Sequence, residues 1–253
     1  MEPQKYDLIA SLGGNCAAAA QLRMRGLRPF ALPFDWLLME DVRTMEYLPK
    51  GFSNGFSDFC LKENLLLLKE DYGTGTAKFK YRDRLTGWCF LHHFHDDINC
   101  TDAYEKTAER LRRAIGRFFD AIRKSKNVLF VLSTAFPYDL AIAEDMASSI
   151  RSQFPDKNID FHLVQFNAKF ENPETLGERI KSPYCTGEKW ARNVNWGYEL
   201  DKTSYEWQFL DDLELVSFPR KQIAGMDKIR YKIWKHLSNR LMERRLRCKG
   251  IQF

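Results

Sequence analysis

The sequence predicts an α/β fold, a layered sheet with helices on both faces in the Rossmann-like manner, and three observations carry that expectation. Residues 128–132 (Val-Leu-Phe-Val-Leu) form a continuous apolar run of strand length, the pattern of a strand buried on both faces. Segments with apolar residues at helical spacing flank it, Tyr104 to Ile122 before and Tyr138 to Phe154 after, and a further strand-like run over 160–166 follows. The chain opens in the same style, with an apolar run over 6–12 leading through Gly13-Gly14 into an alanine-rich stretch. Alternating strands and helices of this kind build a parallel sheet covered by helices.

Taken in order, residues 6–12 read as the first strand, with Cys16 placed just beyond its end. Asn15 is a natural N-cap for a helix over 16–26, where Ala17 to Ala20, Leu22 and Met24 favour helix. Gly26 is a stop signal, and Pro29 and Pro33 prevent continuation. From 34 to 60 the stretch is aromatic and broken by the turn signals Pro49-Lys50-Gly51 and Asn54-Gly55, and no regular element is predicted. Residues 77–81 and 88–95 predict a hairpin joined across 82–87. In its second strand Trp88, Phe90, His92 and Phe94 share one face, and Cys89, Leu91, His93 and His95 the other. Thr101 or Asp102 caps the helix that follows. Past 166 the expectations are helical pieces over 173–180, a Trp-rich stretch over 190–207, a strand over 213–218 and a basic helix over 226–248. The organisation expected is one α/β domain over 1–220, carrying the hairpin insertion near 77–95, and a basic amphipathic C-terminal helix within 221–253.

Composition supports a folded protein: of 253 residues, 44% are hydrophobic and 29% charged, which excludes a disordered, collagen-like or wholly coiled-coil chain. The longest apolar run, Leu65 to Leu68, is far short of the roughly 18 residues a membrane span requires. Residues 1–7 have neither a basic start nor an apolar core, so no secretory signal is expected. Cys16, Cys60, Cys89, Cys100, Cys185 and Cys248 include no CxxC pair, which predicts reduced thiols and a cytoplasmic location. Residues 228–249 hold nine Lys/Arg against Glu243, a local charge of +8 in a chain of total +5, so the rest is −3. The basicity therefore belongs to the tail. A solvated helix packed by its Ile/Leu stripe is the first reading of that tail, and contact with an anionic membrane surface the second. Nucleic acid comes last, because no recognition motif accompanies the charge.

Chemistry has three candidate locations. Cys16 is placed in the first turn of a helix, where unpaired N–H groups favour a thiolate and, with Gly13, Gly14 and Asn15, offer a place for an oxyanion. The His92-His93-Phe94-His95-Asp96-Asp97 run supplies an imidazole base beside carboxylates. His95 is the preferred base because it comes last on the strand, whereas His92 and His93 serve equally well as strand-filling residues. A zinc reading is disfavoured, since His92 and His93 point to opposite faces and no cysteine lies at finger spacing; no cofactor is expected. Asp35, within Pro33-Phe34-Asp35-Trp36, rivals Asp96 as the group that orients the base, or acts as a buried structural contact. The adjacent glycines match neither GxGxxG nor GxxxxGK[ST], so a nucleotide loop is disfavoured, although a sugar phosphate or similar anion at the turn is the alternative to catalysis.

These blocks resemble a known family. Residues 6–16, ending Ser11-Leu12-Gly13-Gly14-Asn15-Cys16, with Ala19, Leu22-Arg23, Gly26-Leu27-Arg28 and Pro33-Phe34-Asp35-Trp36, resemble the opening of an uncharacterised bacterial family named for papain-like cysteine peptidases, and His95-Asp96 resembles its second block. The resemblance is specific over about the first 40 residues and faint after 97. It implies Cys16 as nucleophile and His95 as base, leaves Asp96 and Asp35 both open, and implies a peptide or small acyl substrate for a peptidase, amidase or acyltransferase. It also implies a papain-like α+β fold, with the histidine on an antiparallel sheet, as the alternative to the layered α/β sheet.

Overall fold

The computed structural model describes residues 4–68, 79–99, 102–134, 140–165, 180–181, 210–211 and 213–216. All belong to one compact unit, Met1–Phe218. The helical pieces, the Trp-rich stretch and the basic tail expected from the sequence lie outside the described residues.

The structure is mixed α/β, but its strands do not form a single layered sheet. β2 (Leu8–Ser11), β7 (Asn127–Thr134), β8 (Asn158–Gln165) and β9 (Ile180–Lys181) make a parallel sheet in that order. β3 (Leu37–Met39), β6 (Trp88–Phe94), β5 (Phe79–Asp83) and β4 (Leu65–Leu67) make an antiparallel one. A short parallel pair joins β1 (Gln4–Tyr6) to β10 (Leu213–Leu215). The first strand expected from the sequence is thus two strands with different partners. They divide at Asp7, whose carboxylate accepts from the amides of Lys126 and Asn127 and holds β2 in register with β7.

The parallel sheet confirms the reading of the apolar run. Val128, Phe130 and Leu132 of β7 enter the main core, while Leu129 and Val131 enter a smaller one. α1 (Cys16–Met24) covers the smaller core through Ala17, Ala18 and Leu22. α3 (Ala103–Lys124) and α4 (Leu140–Ser152) line the main one, through Leu111, Ile115 and Phe118 and through Met146 and Ile150.

The aromatic stretch that sequence reading left without structure contributes β3 and α2 (Arg43–Asn54), which runs through Pro49. An interior proline costs a helix about 3 kcal/mol. Met45, Leu48 and Phe52 are buried on one face of α2, and at about 1.5–3 kcal/mol for each buried side chain they outweigh that cost. Gly55, in the left-handed conformation at φ 65°, ends the helix as its turn signal predicted. The predicted hairpin exists as β5 and β6, yet it is the middle of a four-stranded sheet. Buried Asp83 shapes its turn, accepting from the amides of Leu85 and Thr86 with one oxygen and from Cys60 with the other.

The two sheets meet at the glycine pair. The Gly13 carbonyl accepts from Ser133 at the end of β7, and the Gly14 carbonyl accepts from Met39 of β3. Both glycines have positive φ, 88° and 101°. A side chain on Gly14 would place its Cβ 1.4 Å from the Ser133 carbonyl oxygen, so the close approach requires glycine. No helix among the described residues is long and apolar enough to cross a membrane.

Candidate active site

The seam sets the end of one sheet beside a strand of the other. Asn15 caps α1 as predicted, its Oδ1 accepting from the Ala17 amide at 2.9 Å and from Ser133 Oγ at 3.0 Å. Cys16 is therefore the first residue of α1, half-buried, with its thiol at the positive end of the helix dipole. Its Sγ lies 3.4 Å from Nε2 of His92 on β6. A thiol and an imidazole are in contact although one belongs to α1 and the other to the antiparallel sheet, 76 residues apart.

The histidine that reaches the thiol is His92, and not His95 as the sequence suggested. His95 lies one residue past β6 and is exposed. The strand ends at Phe94, so the pairing that sets His92 beside Cys16 does not extend to His95. Asp96 is exposed beside it, and Asp97 accepts from Tyr81 Oη and from the Asn99 amide. Among the described residues no carboxylate contacts His92.

Burial, with the charge of Lys80, holds the His92 pKa below its ordinary value. The His93 ring meets Phe90 edge to face at 5.4 Å, its carbonyl accepts from Thr107 of α3, and burial pushes its pKa down to about 3. It fits the strand-filling role. Among the described residues no group of three or more His, Cys, Asp or Glu side chains gathers as a metal site would need. None of the described cysteines, Cys16, Cys60 and Cys89, is in a disulfide.

The Pro33-Phe34-Asp35-Trp36 block is divided among three tasks. Phe34 is fully buried and stacks on Trp88 at 4.9 Å. Asp35, also fully buried, accepts from Arg28 Nη1 at 2.7 Å and from the Leu32 amide at 2.9 Å. Trp36 meets the His92 ring edge to face, with centroids 6.3 Å apart. Asp35 thus does not touch the imidazole. Nor is the glycine turn open for a ligand at every donor, because the Gly13 amide already donates to Ser11 Oγ. Trp36 as a neighbour of the base is the site feature that sequence reading missed. The block was noticed for its carboxylate, and only the pairing of β3 with β6 reveals what the indole faces.

The Arg28–Asp35 pair supplies a test of its own. Burial opposes its ionisation more strongly than Arg28 and the Leu32 amide favour it, and the carboxyl is pushed up to about 6. A carboxyl whose folded pKa exceeds its ordinary 3.8 binds more protons folded than unfolded between those values, so its contribution to stability is lost as pH rises towards about 6. Arg28→Ala is expected to cost about 3–5 kcal/mol at pH 7, where an ionised Asp35 is left buried and unpaired. The cost should shrink markedly at pH 5, where the carboxyl is protonated; urea unfolding at the two pH values measures the difference.

Residues 7–169 match the family described as "Putative papain-like cysteine peptidase (DUF1796)", and the chain belongs to that family. A viral relative, "Uncharacterized protein R408" of Acanthamoeba polyphaga mimivirus, is 26% identical over 145 residues, which is 53% of this chain and 65% of that protein. The chain thus covers somewhat under two thirds of that relative's length. No solved structure matches.

Proposed function

We propose that the protein is a thiol-dependent acyl-transfer enzyme, a cysteine hydrolase of peptidase, amidase or acyltransferase type. The observation that carries this reading is the 3.4 Å contact between Cys16 Sγ and His92 Nε2 at the N-terminus of α1. The thiol proton passes to His92 as sulfur attacks an amide or ester carbonyl, forming a carbon–sulfur bond. The tetrahedral oxyanion is stabilised by the positive end of α1. Its collapse breaks the carbon–nitrogen or carbon–oxygen bond, and His92 returns the proton to the leaving group. Water, or an acceptor alcohol or amine, then gives its proton to His92 as it attacks the thioester; the carbon–sulfur bond breaks, and His92 returns that proton to sulfur. Membership of a family named for cysteine peptidases supports the same chemistry.

The test is acylation by p-nitrophenyl acetate, followed by the p-nitrophenolate burst and by the mass of the Cys16 peptide. An acetyl group on Cys16, formed faster than on Cys60 or Cys89 and absent in Cys16→Ser, is the expected result. An unmodified Cys16, or one no more reactive than a simple thiol, overturns the reading.

The pH dependence follows from the state of His92. Because its pKa is held below the ordinary 6.5, the imidazole is neutral and able to accept a proton at neutrality. The acylation rate should rise with pH through a midpoint below 6.5, and the rising limb attributable to the base should be complete by pH 7. A rate that climbs only through the range of an ordinary thiol, about 8.5, would assign no such role to His92.

A further inference from the structure

A general base must keep the right nitrogen aimed at the thiol, and an imidazole with two rotatable bonds does so only if something holds it. In cysteine and serine hydrolases that holder is commonly a carboxylate or amide on the second nitrogen. Here, among the described residues, His92 has no such partner: it contacts Cys16 through Nε2 and Trp36 through its ring. The indole is half-buried and meets the imidazole at 69°. Behind it the Arg28 guanidinium lies 5.9 Å from the Trp36 ring centroid, and Arg28 in turn is held by buried Asp35. The Leu32 amide fixes Asp35 from within the same loop.

From this juxtaposition we propose that Trp36, braced by the Arg28–Asp35 pair, is the positioning residue for His92 and takes the place of an orienting acid. The inference rests on the Cys16–His92 reading. Physically, an edge-to-face contact restricts rotation of the imidazole without withdrawing or donating a proton. The cation behind the indole holds the ring's own orientation. Asp35 therefore influences the base at two removes, through Arg28 and the indole, without itself touching the imidazole. The short loop from Arg28 to Trp36 acts as one rigid bracket, closed where Leu37 enters β3 and pairs with Phe90 of β6.

The experiment compares burst acylation by p-nitrophenyl acetate at pH 5 to 9 in wild type, Trp36→Ala, Trp36→Phe, His92→Ala and the Trp36→Ala/His92→Ala double variant. Trp36→Ala should slow acylation at pH 7 by about 10²-fold and flatten the rising limb below 6.5, as misplacing a catalytic group by about an ångström does. Trp36→Phe, which keeps an aromatic neighbour, should stay within about threefold of wild type. In the double variant the loss should be no greater than in His92→Ala alone, because both changes remove the same function. Two results overturn the inference: a Trp36→Ala profile equal to wild type, or equal losses from Trp36→Ala with and without His92. If His92→Ala itself has no effect, the Cys–His reading fails and this inference with it, a separate and recognisable outcome. Should Trp36→Ala not fold, Trp36→Leu provides bulk without an aromatic ring and is read by the same profile.

Discussion

Gly14→Ala should abolish the native site, lowering stability by more than about 4 kcal/mol, the range reached only when a specific structural device is broken. The added methyl would occupy the position of the Ser133 carbonyl, 1.4 Å from its oxygen, and that carbonyl belongs to the central strand of the parallel sheet. Backbone cannot rotate away as a side chain does. Relief therefore requires the turn to leave β7, which breaks the Ser133–Gly13 and Met39–Gly14 hydrogen bonds together. Both sheets lose their seam, and Cys16 loses its place opposite His92. Two other glycines separate this steric effect from the general properties of alanine. Gly26, at φ 71° with nothing within 4 Å of an added Cβ, should cost only about 1–2 kcal/mol for the left-handed conformation. Gly116, in the interior of α3 with open space around it, should gain roughly 1 kcal/mol as alanine from helix propensity. Chemical denaturation of the three variants distinguishes close approach from both alternatives.

His92→Ala should slow acylation of Cys16 by about 10²–10⁴-fold at pH 7, the usual contribution of a general base. His95→Ala should change it by less than about threefold, since His95 is exposed and lies past the end of β6. The pair is informative because the two histidines are three residues apart, one in contact with Cys16 and the other exposed past the end of the strand. Equal and large losses would mean that the β6 end rearranges when substrate binds. A loss confined to His95→Ala would reverse the assignment. Stopped-flow measurement of the p-nitrophenolate burst provides both numbers.

The relation between these variants also shows what kind of information sequence carries. Periodicity located β7, α3, α4 and β8, because an element buried on one or both faces must repeat its apolar residues at the period of its own geometry. Cap chemistry located the start of α1, because Asn15 bonds to an amide two residues away. Such signals are local and survive without knowledge of the fold. The segment from 34 to 60 was illegible for the opposite reason: α2 holds a proline that its local sequence cannot justify, and burial of Met45, Leu48 and Phe52 against distant residues decides its state.

The site divides along the same line. The position of the thiol was legible, because a cysteine after a strand, a glycine turn and a cap is placed at a helix N-terminus by local rules. The imidazole beside it was not. Sequence narrows it to the histidines of one strand and shows that adjacent ones face opposite ways, but which face looks at Cys16 depends on how the antiparallel sheet is joined to the parallel one. That joint is made by the carbonyls of Gly13 and Gly14, bonded to Ser133 and Met39, partners that no local pattern names. The sequence by itself determined a mixed α/β chain with a thiol at the start of its first helix. Only the tertiary structure chose His92 over His95 and set Trp36 against it, because a contact between residues 76 apart is decided by how strands pair, and pairing is a property of the whole fold.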